Sequence, residues 1–188
     1  GQELERVLSS TGPTGGHLER PSDGKVPHRV AFIQCVGSRD DAHAPYCSSV
    51  CCMYATKQAL MIRDHHPETE ITVFYGDLRA VGKGFEKYVL SAEQSAVRYL
   101  PTMISTLKED PATGNLVVRY WLDGRLYQED FHLVVLATAA TAPAGAQELA
   151  RAAGIALDQD GFAGTDPLAP VKTSREGVFA VGGFTAPR

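Results

Sequence analysis

All four cysteines of the 188-residue chain fall in one window, CVGSRDDAHAPYCSSVCC, residues 35 to 52. Thiolates ligate metals, exchange disulfides or attack electrophiles, and each use requires different surroundings. The spacing is C-x11-C-x3-C-C, with Cys35, then Cys47, then the doublet Cys51–Cys52. Cysteine also serves as a small buried hydrophobe, but four clustered thiols with none elsewhere argue against that use. Disulfides are disfavoured, because adjacent cysteines pair only with strain and the chain reads as one kept in a reducing compartment. Two metal readings remain. Four thiolates suit zinc, and they equally suit a [4Fe–4S] cluster. Structural zinc sites favour C-x2–4-C knuckles, so the doublet tilts the choice toward the cluster. Zinc stays open as the competitor.

The elements that must position these thiols are legible around them. RVAFIQCV, residues 29 to 36, is a nearly continuous apolar run, as expected of a strand buried on both faces of a parallel sheet. A helix is predicted from Ser48 to about His65, capped by Ser48 or Ser49, with Ala55, Ala59, Leu60 and Ile62 on its buried side and Pro67 beyond its end. ITVFY, residues 71 to 75, is a second buried strand. Strand, helix and strand make a βαβ unit with a right-handed crossover. In a dinucleotide-binding unit the first turn carries G-x-G-x-x-G and seats a pyrophosphate on the helix N-terminus. Here cysteines occupy that turn, and the same partial positive charge favours thiolate.

Residues 85 to 99 read as another helix with Phe85, Tyr88, Val89 and Ala92 on one side. MISTLKED, NLVVRYW and RLYQEDF, joined through PATGN and LDGR, predict a three-stranded antiparallel meander. HLVVLAT returns to the parallel sheet, and GVFAVGG predicts one more short buried strand. The expected fold is therefore α/β: a Rossmann-like parallel sheet with helices and an antiparallel β-meander. Residues 1 to 28, with Gly- and Pro-rich TGPTGG inside them, read as an arm. Residues 29 to 140 make the domain carrying the four cysteines, and residues 141 to 188 form a return segment.

A formal charge of −4 disfavours nucleic acid and anionic lipid as partners. The longest apolar runs fall far short of the ~20 residues that span a bilayer, so direct membrane insertion is not expected. No signal peptide is visible in GQELERVLSS, and the absence of an initiating Met suggests a piece of a longer protein.

The segments LSSTGPTGGHLERPSDGKVPHRVAFIQCVGSRD and PYCSSVCCMYATKQAL resemble the A-subunit family of heterodisulfide reductases and its quinone-interacting oxidoreductase relatives. The resemblance is dense from about Leu4 to Lys87 and looser to the end. It implies a thioredoxin-reductase-like FAD protein with added iron–sulfur modules, this chain being the second Rossmann-like domain with flanking parts of the FAD domain. It implies Cys35, Cys47, Cys51 and Cys52 as ligands of a [4Fe–4S] cluster, and Lys57 as a cation near the flavin N5, where it would stabilise reduced flavin. The plainer reading of Lys57 is an exposed helix lysine. Gly182 and Gly183 match the segment approached by FAD, with Gly183 where a relative would usually carry Asp. The implied function is electron relay between FAD and the cluster, beside other subunits of a heterodisulfide-reductase-like complex, in the cytoplasm or held at a membrane by partners. The isolated fragment would be inactive. Two alternatives from other classes are a zinc-stabilised docking scaffold and a nicotinamide-dependent disulfide reductase using Cys51 or Cys52.

Other candidates carry weaker signals. His65 and His66 read as a solvated pair, and His43 as a loop residue inside the cysteine window. GDLRAVGKG resembles the segment that in nicotinamide-binding relatives would meet a 2′-phosphate through Arg79, although the missing glycine fingerprint favours a surface or domain-contact role for Arg79 or Lys83. TGPTGG reads as a mobile linker, and Trp121 as packing.

Overall fold

The structure, a computed structural model, describes residues 1–186. In chain order the elements are α1 (Gln2–Val7), β1 (Arg29–Val36), α2 (Cys51–His65), β2 (Glu70–Phe74), α3 (Phe85–Gln94), β3 (Val97–Leu100), β4 (Ile104–Glu109), β5 (Leu116–Leu122), β6 (Arg125–Phe131), β7 (Leu133–Thr138) and α4 (Ala146–Ala153), followed by a 3-10 turn at Gly182–Phe184. They divide into two compact units. The first comprises residues 1–36 and 51–138, and the second residues 37–50 and those from 139 onward.

The first unit is three-layered. Its parallel sheet runs β3-β2-β1-β7, and the meander runs β4-β5-β6. The alternation of β1 explains the layers. Val30 and Phe32 face the helices, packing with Leu4, Leu8, Leu18, Ala55, Ala59 and Ile62. Ala31 and Ile33 face the meander, packing with Phe74, Val118, Tyr120 and Phe131. The Phe74 ring lies 5.0 Å from Tyr120 and 5.9 Å from Phe131. A strand buried on both faces reads as a continuous apolar run, and both faces of β1 are covered.

The α/β class, the βαβ unit and the meander match the sequence expectation, and several details do not. The second predicted helix stops at Gln94 rather than 99, because Ala96 turns left-handed at φ 62° and Val97–Leu100 join the sheet as β3. Phe85 and Tyr88 are exposed on that helix, leaving Val89 and Ala92 as its buried side. Residues 1–28 contribute α1 and three fully packed leucines to the core. TGPTGG is a tight turn rather than a loose tether: Thr14 Oγ1 donates to Val7 O at 2.9 Å, and a Cβ on Gly12 would collide with Arg6 O at 1.7 Å. Trp121 stands 56% exposed on the meander, so it does not pack as predicted.

The second unit holds α4 and short bridges, including Ser38 with Ala44 and Lys172 with Phe179. GVFAVGG does not form a buried strand there. Phe179 and Val181 are exposed, and only Ala180 is buried.

Candidate metal centre

Cys35 sits at the irregular end of β1. The pairing with β7 steps from Ile33–Leu136 to Val36–Thr138, so β1 carries one extra residue in a bulge. Cys35 takes up that extra length at φ 58°, a left-handed conformation a β-branched or bulky residue would resist. Backbone held in such a region persists only where its surroundings enforce it, and such residues gather at functional sites. Arg39 at φ 60° and Ser49 at φ 63° add two more to the same eighteen-residue window.

Cys51 and Cys52 are the first residues of α2, both buried. The first turn of α2 contains no acidic side chain, so the helix dipole there acts on the thiols without competition from a carboxylate. The predicted serine caps are used otherwise: Ser48 Oγ accepts from the Ala140 N–H at 2.9 Å, and Ser49 Oγ donates to Cys47 O at 3.4 Å. Cys52 Sγ accepts the Arg79 backbone N–H at 3.4 Å. Arg79 thus meets the cysteines through its backbone, while its Nε donates to Asp77 Oδ2 at 3.1 Å. The Tyr54 phenol is pushed up to about 12, first by burial and then by the Cys51, Cys52 and Cys35 thiols. Those three thiols therefore share the surroundings of one tyrosine.

Cys47 belongs to the second unit, on a loop fixed at both sides. Tyr46 OH donates to Ala140 O at 3.1 Å, the Tyr46 ring meets Phe162 edge-on at 5.9 Å, and Ser38 Oγ donates to Tyr46 O at 2.7 Å. Cys47 Sγ accepts the Ser49 N–H at 3.3 Å. None of the four cysteines is in a disulfide. Among the described residues no three His, Cys, Asp or Glu side chains are gathered at the spacing of a single metal ion.

Lys57 is exposed on α2 and pairs with Glu5 of α1, whose carboxyl its hydrogen bond holds low. Gly182 and Gly183 are exposed, and a Cβ on either would meet nothing within 4 Å. At φ 69° Gly182 uses the freedom of glycine. His43 Nδ1 pairs with Asp40 Oδ2 at 2.5 Å, while His66 Nδ1 lies 3.7 Å from Glu68, so neither histidine is directed at a cysteine. One residue that sequence reasoning passed over is Gln34. The signal was a lone amide within the apolar run of β1, one position before Cys35.

No protein-family model matches the chain. Curated proteins do. The chain is 44% identical over 192 residues to the second iron-sulfur A subunit of the CoB–CoM heterodisulfide reductase of Methanopyrus kandleri, a match covering 99% of the chain and 29% of that protein. It is also 44% identical over 192 residues to the corresponding A subunit of Methanocaldococcus jannaschii, with the same two coverages. Against the A subunit of the H(2):CoB-CoM heterodisulfide,ferredoxin reductase of Methanothermobacter thermautotrophicus it is 41% identical over 194 residues, spanning 100% of the chain and 29% of that protein. Along its length the chain is homologous to the heterodisulfide reductase A subunit. It corresponds to a segment spanning 29% of these relatives.

Among solved structures, the thioredoxin reductase of T. acidophilum matches with TM-score 0.55 at 16% identity, over 84% of this chain and 44% of that one. The Lactococcus lactis thioredoxin reductase matches with TM-score 0.50 at 17% identity, over 83% and 44%. At such identities the likeness concerns fold alone: an α/β fold of the thioredoxin-reductase type. No helix among the described residues is long and apolar enough to cross a membrane.

Proposed function

We propose that this chain is the cluster-bearing part of a flavoprotein like the heterodisulfide reductase A subunit, with Cys35, Cys47, Cys51 and Cys52 as the four thiolate ligands of a [4Fe–4S] cluster. The observation that carries this reading is the donor set: four thiols outside any disulfide in one window, two of them opening a helix and one on a strained strand end. A cubane spreads its ligating sulfurs over four irons, whereas zinc draws them around one ion. The adjacent pair Cys51–Cys52, unlike a C-x2–4-C zinc knuckle, favours the cluster over zinc. A cluster, when bound, supplies one-electron transfer.

The chain's own residues supply the tuning. Backbone N–H groups of Arg79 and Ser49 already point at Cys52 and Cys47 sulfurs, and such hydrogen bonds favour the more negative, reduced state of a cluster. Burial of Cys51 and Cys52 keeps water from the ligands. FAD would lie against Gly182 and Gly183, whose open, uncrowded backbone allows close approach, with Lys57 as the cation beside its N5. The reaction class is electron transfer within a multi-subunit complex, whose other subunits deliver and accept the electrons, in the cytoplasm.

Anaerobic purification of the whole protein, with iron and sulfide counting in the parent and in Cys51→Ser, tests the reading. The variant should lack one cluster's complement of iron and sulfide. An unchanged content, or zinc bound at this site in the parent, would reject it.

A further inference from the structure

Gln34 is 1% exposed, yet among the described residues neither its Nε2 nor its Oε1 has a hydrogen-bond partner. Buried amides in native proteins are almost always paired, so an orphan calls for an explanation, and an unseen ligand is one of the few available. The contrast within this fold is direct. Gln58, equally buried on α2, donates from Nε2 to Gly1 O at 2.9 Å and to Glu5 Oε2 at 3.1 Å. Arg20, also buried, places its Nη1 and Nη2 on Asn115 and Gly114. Gln34 alone among these has every polar side-chain atom unpaired.

Its position says what the amide could serve. By strand alternation Gln34 continues the Val30 and Phe32 face of β1, the face that packs against Ala55 and Ala59 of α2. In a parallel crossover the C-terminal end of the strand lies beside the N-terminal end of the following helix, and α2 opens with Cys51 and Cys52. Gln34 also immediately precedes the bulged Cys35. An apolar residue would fill this place in β1 without leaving buried polar atoms, as Val30, Ala31, Phe32 and Ile33 do.

We propose that Gln34 is a positioning residue of the iron–sulfur site: its buried amide donates N–H to the sulfurs of the group that Cys35, Cys51 and Cys52 hold. The inference rests on the cluster reading above. A donor aimed at sulfur stabilises the reduced cluster and so raises its potential, and supporting groups of this kind also slow metal loss.

The test uses the whole cluster-loaded protein, with Gln34→Met as an apolar variant of similar shape and Gln34→Glu as one that removes the amide donor and adds charge. Both should retain full iron, lose it about 10-fold faster to a ferrous chelator, and show a cluster midpoint potential shifted negative in EPR-monitored titration. Metal-free Gln34→Met should be at least as stable as the metal-free parent, because it removes buried unpaired atoms. Parent-like potential and chelation rate in both variants would overturn the proposal. So would a loss of stability in metal-free Gln34→Met, which would show that the amide's partners lie in the protein. Cys51→Ser measured alongside separates the two claims. If it keeps all its iron, the cluster assignment falls and Gln34 with it; if it loses iron while the Gln34 variants match the parent, only Gln34 falls.

Discussion

The Arg29 guanidinium donates from Nη2 to Oε2 of Glu129 at 2.5 Å, tying the first strand of the parallel sheet to the last strand of the meander. Glu129 is the hub of a wider network. It also accepts from Arg98 Nη2 at 2.7 Å and from the Tyr120 hydroxyl, while Arg29 reaches Glu70 Oε2 at 3.1 Å and stacks 4.9 Å over Phe131. Burial alone would raise the Glu129 carboxyl, but the donors Arg98, Tyr120 and Arg29 outweigh it and hold the group below the ordinary glutamate range. Glu129→Gln should therefore cost about 2 kcal/mol near neutral pH, a figure typical of hydrogen bonds to charged groups. The sign follows from linkage. A depressed carboxyl stabilises above its unfolded pKa and loses that contribution as pH falls through its folded value. The gap in urea midpoint between parent and variant should shrink as the pH is taken below that of an ordinary glutamate.

Tyr120 titrates at the other end. Burial first, then its bond to Glu129 and that carboxylate's charge, push the phenol from 10.0 up to about 12. The folded form keeps its proton where the unfolded chain loses it, so stability declines as pH rises from the unfolded value of 10.0 toward the folded one. Tyr120→Phe should flatten this alkaline limb, seen as a smaller fall in Tm between about pH 9 and about pH 11.

Leu18 decides whether residues 1–28 are an arm or part of the core. It is fully buried among Val30, Phe32 and Ile62 of the first unit. Leu18→Ala should cost about 2–5 kcal/mol, the range for large-to-small changes in a packed core, read as a lower urea midpoint at unchanged slope. A loosely tethered arm would show almost no change.

The contrast between β1 and the other segments shows where sequence suffices. RVAFIQCV is apolar because both its faces are covered, and that pattern survives without knowledge of the partners. The meander was equally legible, since turn residues separate its strands. By contrast, β3 follows α3 after only Ser95 and Ala96, and Ala96 makes a left-handed turn usually left to glycine. GVFAVGG has the pattern of a buried strand, but among the described residues it has only an isolated bridge at Phe179. At the site, the thiols were visible as residue types and spacing. The bulge that turns Cys35, and the unpaired amide of Gln34, depend on pairing register and three-dimensional packing, which spacing does not encode.

The electronic role proposed for Lys57 can be separated from its structural one. Its pair with Glu5 is substantially exposed on both sides, at 48% and 41% of side-chain area, so solvent screening leaves it worth below about 1 kcal/mol. Lys57→Ala should therefore leave the unfolding midpoint of the metal-free, flavin-free protein nearly unchanged. In the flavin-loaded whole protein the same substitution should move the flavin potential negative, because a cation near N5 favours the reduced, anionic ring. A flavin potential equal to the parent's would assign Lys57 to the surface.

Cys47 and Cys51 belong to the two units, and the same chemical change at each should have different local consequences. Cys51 opens α2, so Cys51→Ser should loosen the first turn, seen as faster amide exchange over Cys51–Tyr54 than in the cluster-loaded parent. Cys47 lies on a loop whose neighbours Tyr46 and Ser48 are held by Ala140 through bonds that do not involve its sulfur. Cys47→Ser should leave that loop in place. Under the four-thiolate assignment both variants should nonetheless lose the cluster's iron, since each removes one ligand of a closed set. Equal iron loss in both variants, with the Tyr46–Ser48 loop kept in place in Cys47→Ser, is the expected pattern. Full iron retention in Cys47→Ser would remove Cys47 from the ligand set and leave the fourth iron to another donor.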